Sequence, residues 1–317
     1  EQALALAEFP TALSIVGNDY IALELVTLFA RLGAAVTLLL PGEMLLDNVD
    51  PAALKPIHTG LKALGVQIIS GARPVGIQGD TLRYTAGDKA EEASAPLPAI
   101  VSLGVKPRLS GLRLDAAGVQ ISSAGGLVAN SSGRTSNEKV YAAGDALSSP
   151  QPAGTPALHL PLASVAMRQA KVAAEAMNGA RVQYAPVVTP LVALTTPEIA
   201  SAGLSPQAAE AAGYRVLSGR FPLAANGRAL TLGSNHGLAL VTADADSEAV
   251  LGITLVGPDA ADLIAQATLA IEMGATLTDL TDILYAHPSV SEITLEGAEA
   301  ALGRAIHALG TPTAKVR

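Results

Sequence analysis

The amino-acid sequence predicts an α/β fold with a parallel, Rossmann-like β-α-β unit first and an α+β domain on a mostly antiparallel sheet last. Three observations lead to this prediction. Two short apolar runs flank an apolar helical segment within the first 40 residues. A stretch rich in Ser, Gly and Asn lies in the middle of the chain. Beyond residue 187, strand-like and helix-like segments alternate.

The N-terminal segment has the pattern of a β-α-β unit. Residues 12–16 are an apolar run that ends at Gly17 and predicts a buried parallel strand. Residues 20–32 carry apolar side chains at helical spacing, and Gly33 ends that helix. Residues 35–40 predict the second strand. A unit of this length favours a right-handed parallel crossover.

The elements that follow are predicted from shorter patterns. Pro51 to Leu64 predicts a helix, in which Pro56 is tolerable only near the first turn. The turns in 72–98 predict a small antiparallel excursion. Further elements are expected as strands at 66–70, 100–103 and 140–143, a loop at 121–136, an irregular loop at 148–161 and a helix at 162–177.

The C-terminal part begins with a change of composition near residues 183–188. Strands interspersed with helices predict an α+β arrangement there. The expected strands are 187–194, 214–222, 237–243 and 250–256, and the expected helices are 205–212, 259–273 and 293–309.

Composition excludes several classes of protein. The chain has 317 residues, 50% of them hydrophobic, with a net charge of −8. This acidic balance argues against binding to nucleic acid or to anionic lipid, because both require a basic surface. The absence of Trp argues against base stacking. Residues 21–40 contain Glu24 and Arg31, so we expect no membrane span.

The sequence contains no cysteine. We therefore expect no disulfide, no thiolate metal site and no catalytic thiol in these residues. This composition fits a reducing compartment, and we expect a cytoplasmic protein. The histidines lack metal-ligand spacing, so we expect no metal. The opening residues, Glu1 to Ala3, have no basic start, so they are not expected to belong to a signal peptide.

The turn after the first strand can be compared with a dinucleotide-binding turn. The candidate contacts are Gly17, Tyr20, Ile21 and Ala22. Asp19 occupies the second glycine position, where its charge opposes a pyrophosphate at the helix N-terminus. The acidic ribose contact expected after the second strand falls on Leu40. Two interpretations stay open: a nicotinamide dinucleotide site, or a β-α-β unit whose site has decayed and whose Asp19 is an N-cap.

Six longer segments carry further motifs. In the N-terminal and middle parts of the chain these are GNDYIALELVTLFARLGAAVTLLL, LPAIVSLGVKPRLSGLRLDAAGV and RTSNEKVYAAGDAL. In the C-terminal part they are FPLAANGRAL, LGITLVGPDAADLI and YAHPSVSE. Together these segments resemble the pyridine nucleotide–disulfide oxidoreductase family, and its dihydrolipoamide dehydrogenase branch most of all. The first three are similar to the family's nicotinamide-binding fingerprint, its return strand and its FAD-contacting turn, and the last three are similar to its dimerisation domain.

The resemblance implies three domains and also shows what is missing. Residues 1–104 would form an NAD(P)-binding-like domain, 105–186 the remnant of an FAD-binding domain, and 187–317 a dimerisation domain. The family's first FAD-binding unit and its two redox cysteines have no counterpart here. The missing third could belong to the same protein, be a separate polypeptide or have been lost, and these alternatives stay open.

His287 and Glu292 are the candidate catalytic residues. In the family, the matching His takes a proton from a substrate thiol and the matching Glu fixes its tautomer. An imidazole that titrates near neutrality, oriented by a carboxylate, suits that chemistry. The alternative is a structural His before a helix opened by Pro288.

Further cofactor contacts follow from the resemblance. Asp145 matches the carboxylate that binds the flavin ribityl chain, and Glu24 a carboxylate near the flavin. Asp145 could instead be a turn residue and Glu24 a locally paired helix residue. The remaining contacts that the resemblance implies are Gly104, Gly144, Leu162 and Ala163.

The sequence as a whole therefore favours a flavin-dependent, NAD-linked oxidoreductase resembling dihydrolipoamide dehydrogenase, inactive as this stretch alone. FAD would have half its pocket here, and the NAD site is degenerate. The expected partners are a second copy, through residues 187–317, and a 2-oxoacid dehydrogenase complex. One alternative is a quinone reductase of the same family, suggested by LPLASVAM. The other is a non-catalytic dimeric scaffold, suggested by Asp19, Leu40 and the missing cysteines.

Overall fold

A computed structural model describes residues 2–47, 49–87, 92–148 and 161–308. The chain divides into two compact units. The larger unit joins Glu1–Leu103 with Val188–Arg317, and the smaller unit is Gly104–Val187. The assignment of three domains to 1–104, 105–186 and 187–317 stays a prediction.

The N-terminal half of the larger unit contains a parallel sheet in the order β3-β2-β1-β7. A separate antiparallel sheet has the order β4-β5-β6, as the turns in 72–98 predict. The predicted β-α-β unit is thus confirmed. The elements are β1 (Ala12–Val16), α1 (Tyr20–Arg31), β2 (Ala35–Leu39), α2 (Pro51–Ala63), β3 (Gln67–Ile69), β4 (Ala72–Gln78), β5 (Thr81–Ala86), β6 (Ala93–Pro96) and β7 (Ala99–Val101).

Helices α1 and α2 begin where a side chain caps them. Asp19 accepts a hydrogen bond from the Ala22 N–H at 2.7 Å, and Asp50 accepts one from the Ala52 N–H at 2.8 Å. Such caps satisfy amides that the helix itself leaves unpaired. Pro56 lies inside α2 beyond the first turn, contrary to expectation. Its ring nitrogen cannot donate to the carbonyl of Ala52 four residues earlier.

In its described residues, the smaller unit contains the helix α3 (Ala163–Met177) and irregular chain around a small apolar core. The strand expected at 140–143 does not form. Tyr141 makes a single bridge to Arg134, and the chain then enters a short 3₁₀ turn at Gly144, whose φ is +69°. The positive φ of Gly144 ends the extended backbone of residues 140–143. Of the loop predicted at 148–161, residues 149–160 lie outside the described residues.

The C-terminal half of the larger unit is an antiparallel sheet in the order β10-β11-β12-β9-β8. Its side chains form the largest apolar cluster, and the last helix packs on β10 and β11. The elements are β8 (Leu191–Ala193), β9 (Glu198–Gly203), α4 (Pro206–Ala211), β10 (Val216–Pro222), α5 (Gly227–Thr231), β11 (Leu238–Asp244), β12 (Val250–Gly257), α6 (Ala260–Glu272), α7 (Leu277–Asp282) and α8 (Glu292–Ala301).

Three elements of this half, β9, α5 and α7, were not predicted, because the sequence patterns did not indicate them. Helix α7 has a capping box in which the side chains of Thr276 and Asp279 each accept from the other's backbone N–H. The last helix was expected to extend to 309, but α8 ends at Ala301, before Gly303 with φ +71°.

Polar contacts join the two halves of the larger unit. The Asp50 side chain is 1% exposed and accepts from Gln207 Nε2 at 2.9 Å and from Arg220 Nη2 at 3.4 Å. Asp50 therefore caps α2 and binds the C-terminal sheet at once. A Cβ on Gly60 would lie 1.9 Å from the Thr196 carbonyl oxygen, so α2 can approach this turn only with glycine there.

Within the residues that the structure describes, no helix combines the length and apolarity that a membrane crossing requires.

Candidate functional site

His287 and Glu292 form an imidazole–carboxylate pair at the start of α8. His287 lies in the loop after α7, and Glu292 is the first residue of α8. The distance from His287 Nδ1 to Glu292 Oε1 is 2.9 Å, and the Ser289 N–H donates to Glu292 Oε2 at 2.8 Å. Both carboxylate oxygens are therefore engaged, which fixes the orientation of the carboxylate. The His287 side chain is 80% exposed, and the Glu292 side chain 20%.

The surroundings of Glu292 keep it ionised. Partial burial raises its pKa, but the Ser289 N–H, the hydrogen bond from His287 and the charges of His287 and His307 outweigh burial. The pKa of Glu292 is therefore below its ordinary value of 4.5. An ionised carboxylate at Nδ1 places the imidazole proton there, because a carboxylate can only accept. The Nε2 atom is then left as the acceptor, on the exposed ring.

Asn226 holds the loop that carries this pair. Its Nδ2 donates to the Ser289 carbonyl at 3.0 Å, and its Oδ1 accepts from the Ala229 N–H at 2.8 Å. The residue is only 5% exposed. The sequence predicted no such role for Asn226, because its partner lies 63 residues away. Its only local signal is the N-cap position before Gly227.

The glycine turn between β1 and α1 is tightly packed. Gly17 has φ +153°, and a Cβ there would lie 2.0 Å from the Ser102 carbonyl oxygen. The close approach of β1 and β7 is therefore enough to require glycine at this position. Tyr20 and Ile21 are half-buried and Ala22 is buried.

Asp19 occupies the place where a pyrophosphate would approach α1. Besides capping the helix, its carboxylate accepts from Ser102 Oγ at 2.8 Å. The N-terminal amides of a helix attract anions, and here a carboxylate of this chain already accepts from one of them, the Ala22 N–H. Leu40, at the position of the ribose contact, is 1% exposed and belongs to the core. The degeneracy of the NAD site, expected from Asp19 and Leu40, stays a prediction.

Glu24 is engaged within the larger unit. Its Oε1 accepts from the Leu194 N–H at 3.0 Å, so the carboxylate on α1 binds the end of β8. The partner lies 170 residues away in the sequence, so this contact is not the local pairing of the alternative. The flavin contact stays a prediction.

The predicted flavin contacts of the smaller unit lie in two places. Gly144 donates its N–H to Gln169 Oε1 at 2.8 Å, and the next residue, Asp145, is exposed. Leu162 precedes α3 without a side-chain cap, and Ala163 is exposed. The Asp145 carboxylate can accept from hydroxyl groups such as those of a flavin ribityl chain, and these flavin contacts stay predictions. Gly104, which the resemblance places near the nicotinamide, is exposed with φ +85°.

The structure thus brings together His287 and Glu292, and it places Gly17, Tyr20, Ile21, Ala22 and Glu24 along β1 and α1. In the parts of the chain it describes, no group of three or more His, Asp or Glu side chains could hold a metal ion.

A parallel β-α-β unit is followed in this chain by an antiparallel domain with an exposed imidazole–carboxylate pair. Comparison with family models shows to which family of α/β proteins the chain belongs. Residues 1–173 match the pyridine nucleotide-disulphide oxidoreductase model, and residues 189–298 match the model of that family's dimerisation domain. The chain belongs to the pyridine nucleotide-disulphide oxidoreductase family.

Individual relatives are dihydrolipoyl dehydrogenases. The chain is 37% identical over 312 residues to the one from Halobacterium salinarum and 36% identical over 306 residues to the one from Pseudomonas aeruginosa. These matches cover 97% and 96% of this chain but only 64% of each relative. Among solved structures, LpdA from Mycobacterium tuberculosis is similar with a TM-score of 0.79 and 26% identity, over 93% of this chain and 62% of LpdA.

Replacing Asp19 by Gly is expected to strengthen binding of NADH to this chain about tenfold, because it removes an anion that competes for the α1 amides. Fluorescence titration with NADH measures the change. Asp47→Asn is the matched control, since exposed Asp47 contacts Asn18 in the same turn but does not cap the helix. An equal gain in both variants, or no gain in Asp19→Gly, would contradict the role assigned to Asp19.

Proposed function

We propose that this chain is the C-terminal two-thirds of a flavin-dependent, NAD-linked oxidoreductase of the dihydrolipoyl dehydrogenase type. His287 is its acid–base residue and Glu292 positions His287. The observation that carries the proposal is the 2.9 Å contact between His287 Nδ1 and Glu292 Oε1. Apart from this contact, the imidazole ring is exposed. The similarity to dihydrolipoyl dehydrogenases along almost the whole chain supports it.

The proposed chemistry of this chain is a proton transfer. His287 Nε2 accepts the proton of a substrate thiol, so the S–H bond breaks and a thiolate and an imidazolium form. The thiolate is the nucleophilic form of sulfur. Glu292 stabilises the imidazolium through Nδ1 and keeps the ring in place. A bound flavin supplies the electron transfer between disulfide and nicotinamide.

The proposed cofactor contacts follow the family. Gly144 and Asp145, with Leu162 and Ala163, hold FAD, and Gly104 lies near the nicotinamide. Asp19 and Leu40 weaken NAD binding at α1. The sequence contains no cysteine, so these residues provide no redox disulfide and have no activity alone. Residues 187–317 form a homodimer, and the complete protein works with a 2-oxoacid dehydrogenase complex in the cytoplasm.

A second candidate, a non-catalytic dimeric scaffold, is favoured by the contacts of Asp19. That carboxylate caps α1 and binds Ser102, as expected of a unit that no longer binds a dinucleotide. A third, quinone reduction, rests on the exposed Ser164 near the start of α3, where many dihydrolipoamide dehydrogenases have His.

The proposal is tested by completing the chain. The segment of the Pseudomonas aeruginosa relative that this chain does not cover, which the family resemblance places at the N-terminus, is joined to Glu1. We expect a bound flavin spectrum and oxidation of dihydrolipoamide with NAD. Turnover with quinones alone would favour the quinone reductase. A flavin-loaded but inactive dimer would favour the scaffold and overturn the proposal.

A further inference from the structure

Helix α8 carries a second carboxylate–imidazole pair. Glu296 lies four residues after Glu292, so both carboxylates project from one face of the helix, one turn apart. Glu296 Oε1 contacts His307 Nδ1 at 2.5 Å. His307 lies beyond the end of α8, in the chain that follows Gly303. Each of the two carboxylates therefore binds its own imidazole.

The Glu296 side chain is more deeply buried than is usual for a glutamate on a helix surface. Its side chain is 11% exposed, whereas that of His307 is 65% exposed. Among the residues that the structure describes, its Oε2 atom has no hydrogen-bond partner. Because its second oxygen has no partner in the described residues, Glu296 depends on the contact of its first oxygen with His307.

Protonation of His307 is favoured by its surroundings. The hydrogen bond from the ring to Glu296 and the charge of that carboxylate raise the pKa of His307, with a smaller contribution from Glu292. The charge of His307 in turn helps to lower the pKa of Glu292. The two pairs therefore act on each other electrostatically, in both directions.

We propose that Glu296 and His307 are positioning residues that set the proton affinity of His287 through Glu292. While His307 is protonated, its pair with Glu296 is neutral. Once His307 loses its proton, the pair carries one negative charge beside Glu292. That charge lies one helical turn from Glu292, the carboxylate that contacts His287 Nδ1, so it acts on the His287–Glu292 pair. This inference rests on the proposed function of His287.

Of the other charged groups around α8, most bind partners of their own and one, Asp282, is exposed. Strand β10 carries Arg220, which binds Asp50, and β11 carries Asp244, which binds Ser247. On α7, Asp279 binds Thr276, and Asp282 is exposed. Glu299 on α8 binds Arg304. Of the imidazoles, His287 and His307 are the two that contact α8 carboxylates in the described chain.

The test is an NMR titration of the histidine rings in the chain as it is, without flavin. In Glu296→Gln we expect the midpoint of His307 to fall by about 1 pH unit, because its anion is removed. The midpoint of His287 should fall by about 0.3–0.5 pH unit. In His307→Asn, whose amide can still donate to Glu296, the permanent negative charge should raise the His287 midpoint by a similar amount.

Opposite shifts separate coupling from structural disturbance, which would move His287 in the same direction in both variants. The double variant removes both charges and should return His287 close to its wild-type midpoint. His236, exposed before β11, is the internal control and should titrate identically throughout. An unchanged His287 midpoint in both single variants would overturn the inference. Failure of the proposed function would give a different result, because the completed protein would still show turnover after His287 is replaced.

Discussion

Replacing His287 by Gln in the completed protein is expected to lower kcat for dihydrolipoamide oxidation by about 10²–10⁴-fold, the usual contribution of a positioned acid–base group. The reason is the loss of Nε2, the atom that accepts the thiol proton in the proposed function. Because the His287 side chain is 80% exposed, its replacement costs little packing. The Tm should stay within about 2 °C of the parent value.

Glu292→Gln distinguishes orientation from proton transfer. The amide keeps the shape of the side chain but loses the charge that stabilises imidazolium, so we expect a smaller loss, about 10–10²-fold, with an acidic shift of the pH profile. His236→Gln is the matched control because it also removes an exposed imidazole from the C-terminal half. Parent-level turnover in His287→Gln, with flavin bound, would refute the acid–base role.

The N-terminal fold was predictable because each element there carries a local signal. Apolar runs of five or six residues define β1 and β2, and α1 ends before a glycine that takes positive φ. Buried parallel strands need little alternation, so composition alone reveals them. The same reasoning failed at 140–143. Those residues look like a strand, but they have only the single bridge at Tyr141 rather than a ladder.

The C-terminal elements were less predictable because tertiary contacts define them. Strand β9, with the sequence EIASAG, has little apolar character of its own and exists through its ladders to β12 and β8. Helix α8 was overextended because the Ala-rich pattern continues beyond Ala301, and only the backbone turn at Gly303 ends it.

In the site, too, contacts within one sequence motif could be predicted, whereas contacts between residues farther apart in the sequence could not. His287 and Glu292 are five residues apart, so one motif contains both and the pair could be predicted. Asn226 and His307 lie 63 and 11 residues from their partners, Ser289 and Glu296. A single sequence gives no signal for such contacts. The burial of Leu40 likewise depends on packing across the whole larger unit.

Replacing Gly219 by Ala is expected to destabilise the larger unit by about 3 kcal/mol, the upper end of the range for overpacking. Gly219 lies on β10 beneath α8. A Cβ there would lie 2.1 Å from the Ala301 nitrogen and 2.2 Å from the Gly297 carbonyl oxygen. Both are backbone atoms of α8, so no side chain can rotate away and the helix itself would have to move.

Close packing of α8 on the sheet depends on small residues on both sides. Gly297 faces Val241, where a Cβ would lie 2.8 Å from Cγ2, and Ala298 is fully buried. Dispersion contacts of this density weaken quickly when two elements separate by even a fraction of an ångström. Because α8 begins at Glu292, any displacement of the helix also disturbs the position of the imidazole–carboxylate pair.

Thermal unfolding of this chain measures the effect, and we expect the Tm of Gly219→Ala to fall by roughly 6–12 °C. Gly227→Ala is the matched control, since a Cβ at Gly227 meets nothing within 4 Å. That variant should unfold within about 2 °C of the parent, because surface substitutions seldom exceed about 0.5 kcal/mol. Equal Tm values for the two variants would mean that α8 can shift without cost. The glycine on β10 would then not determine where Glu292 lies.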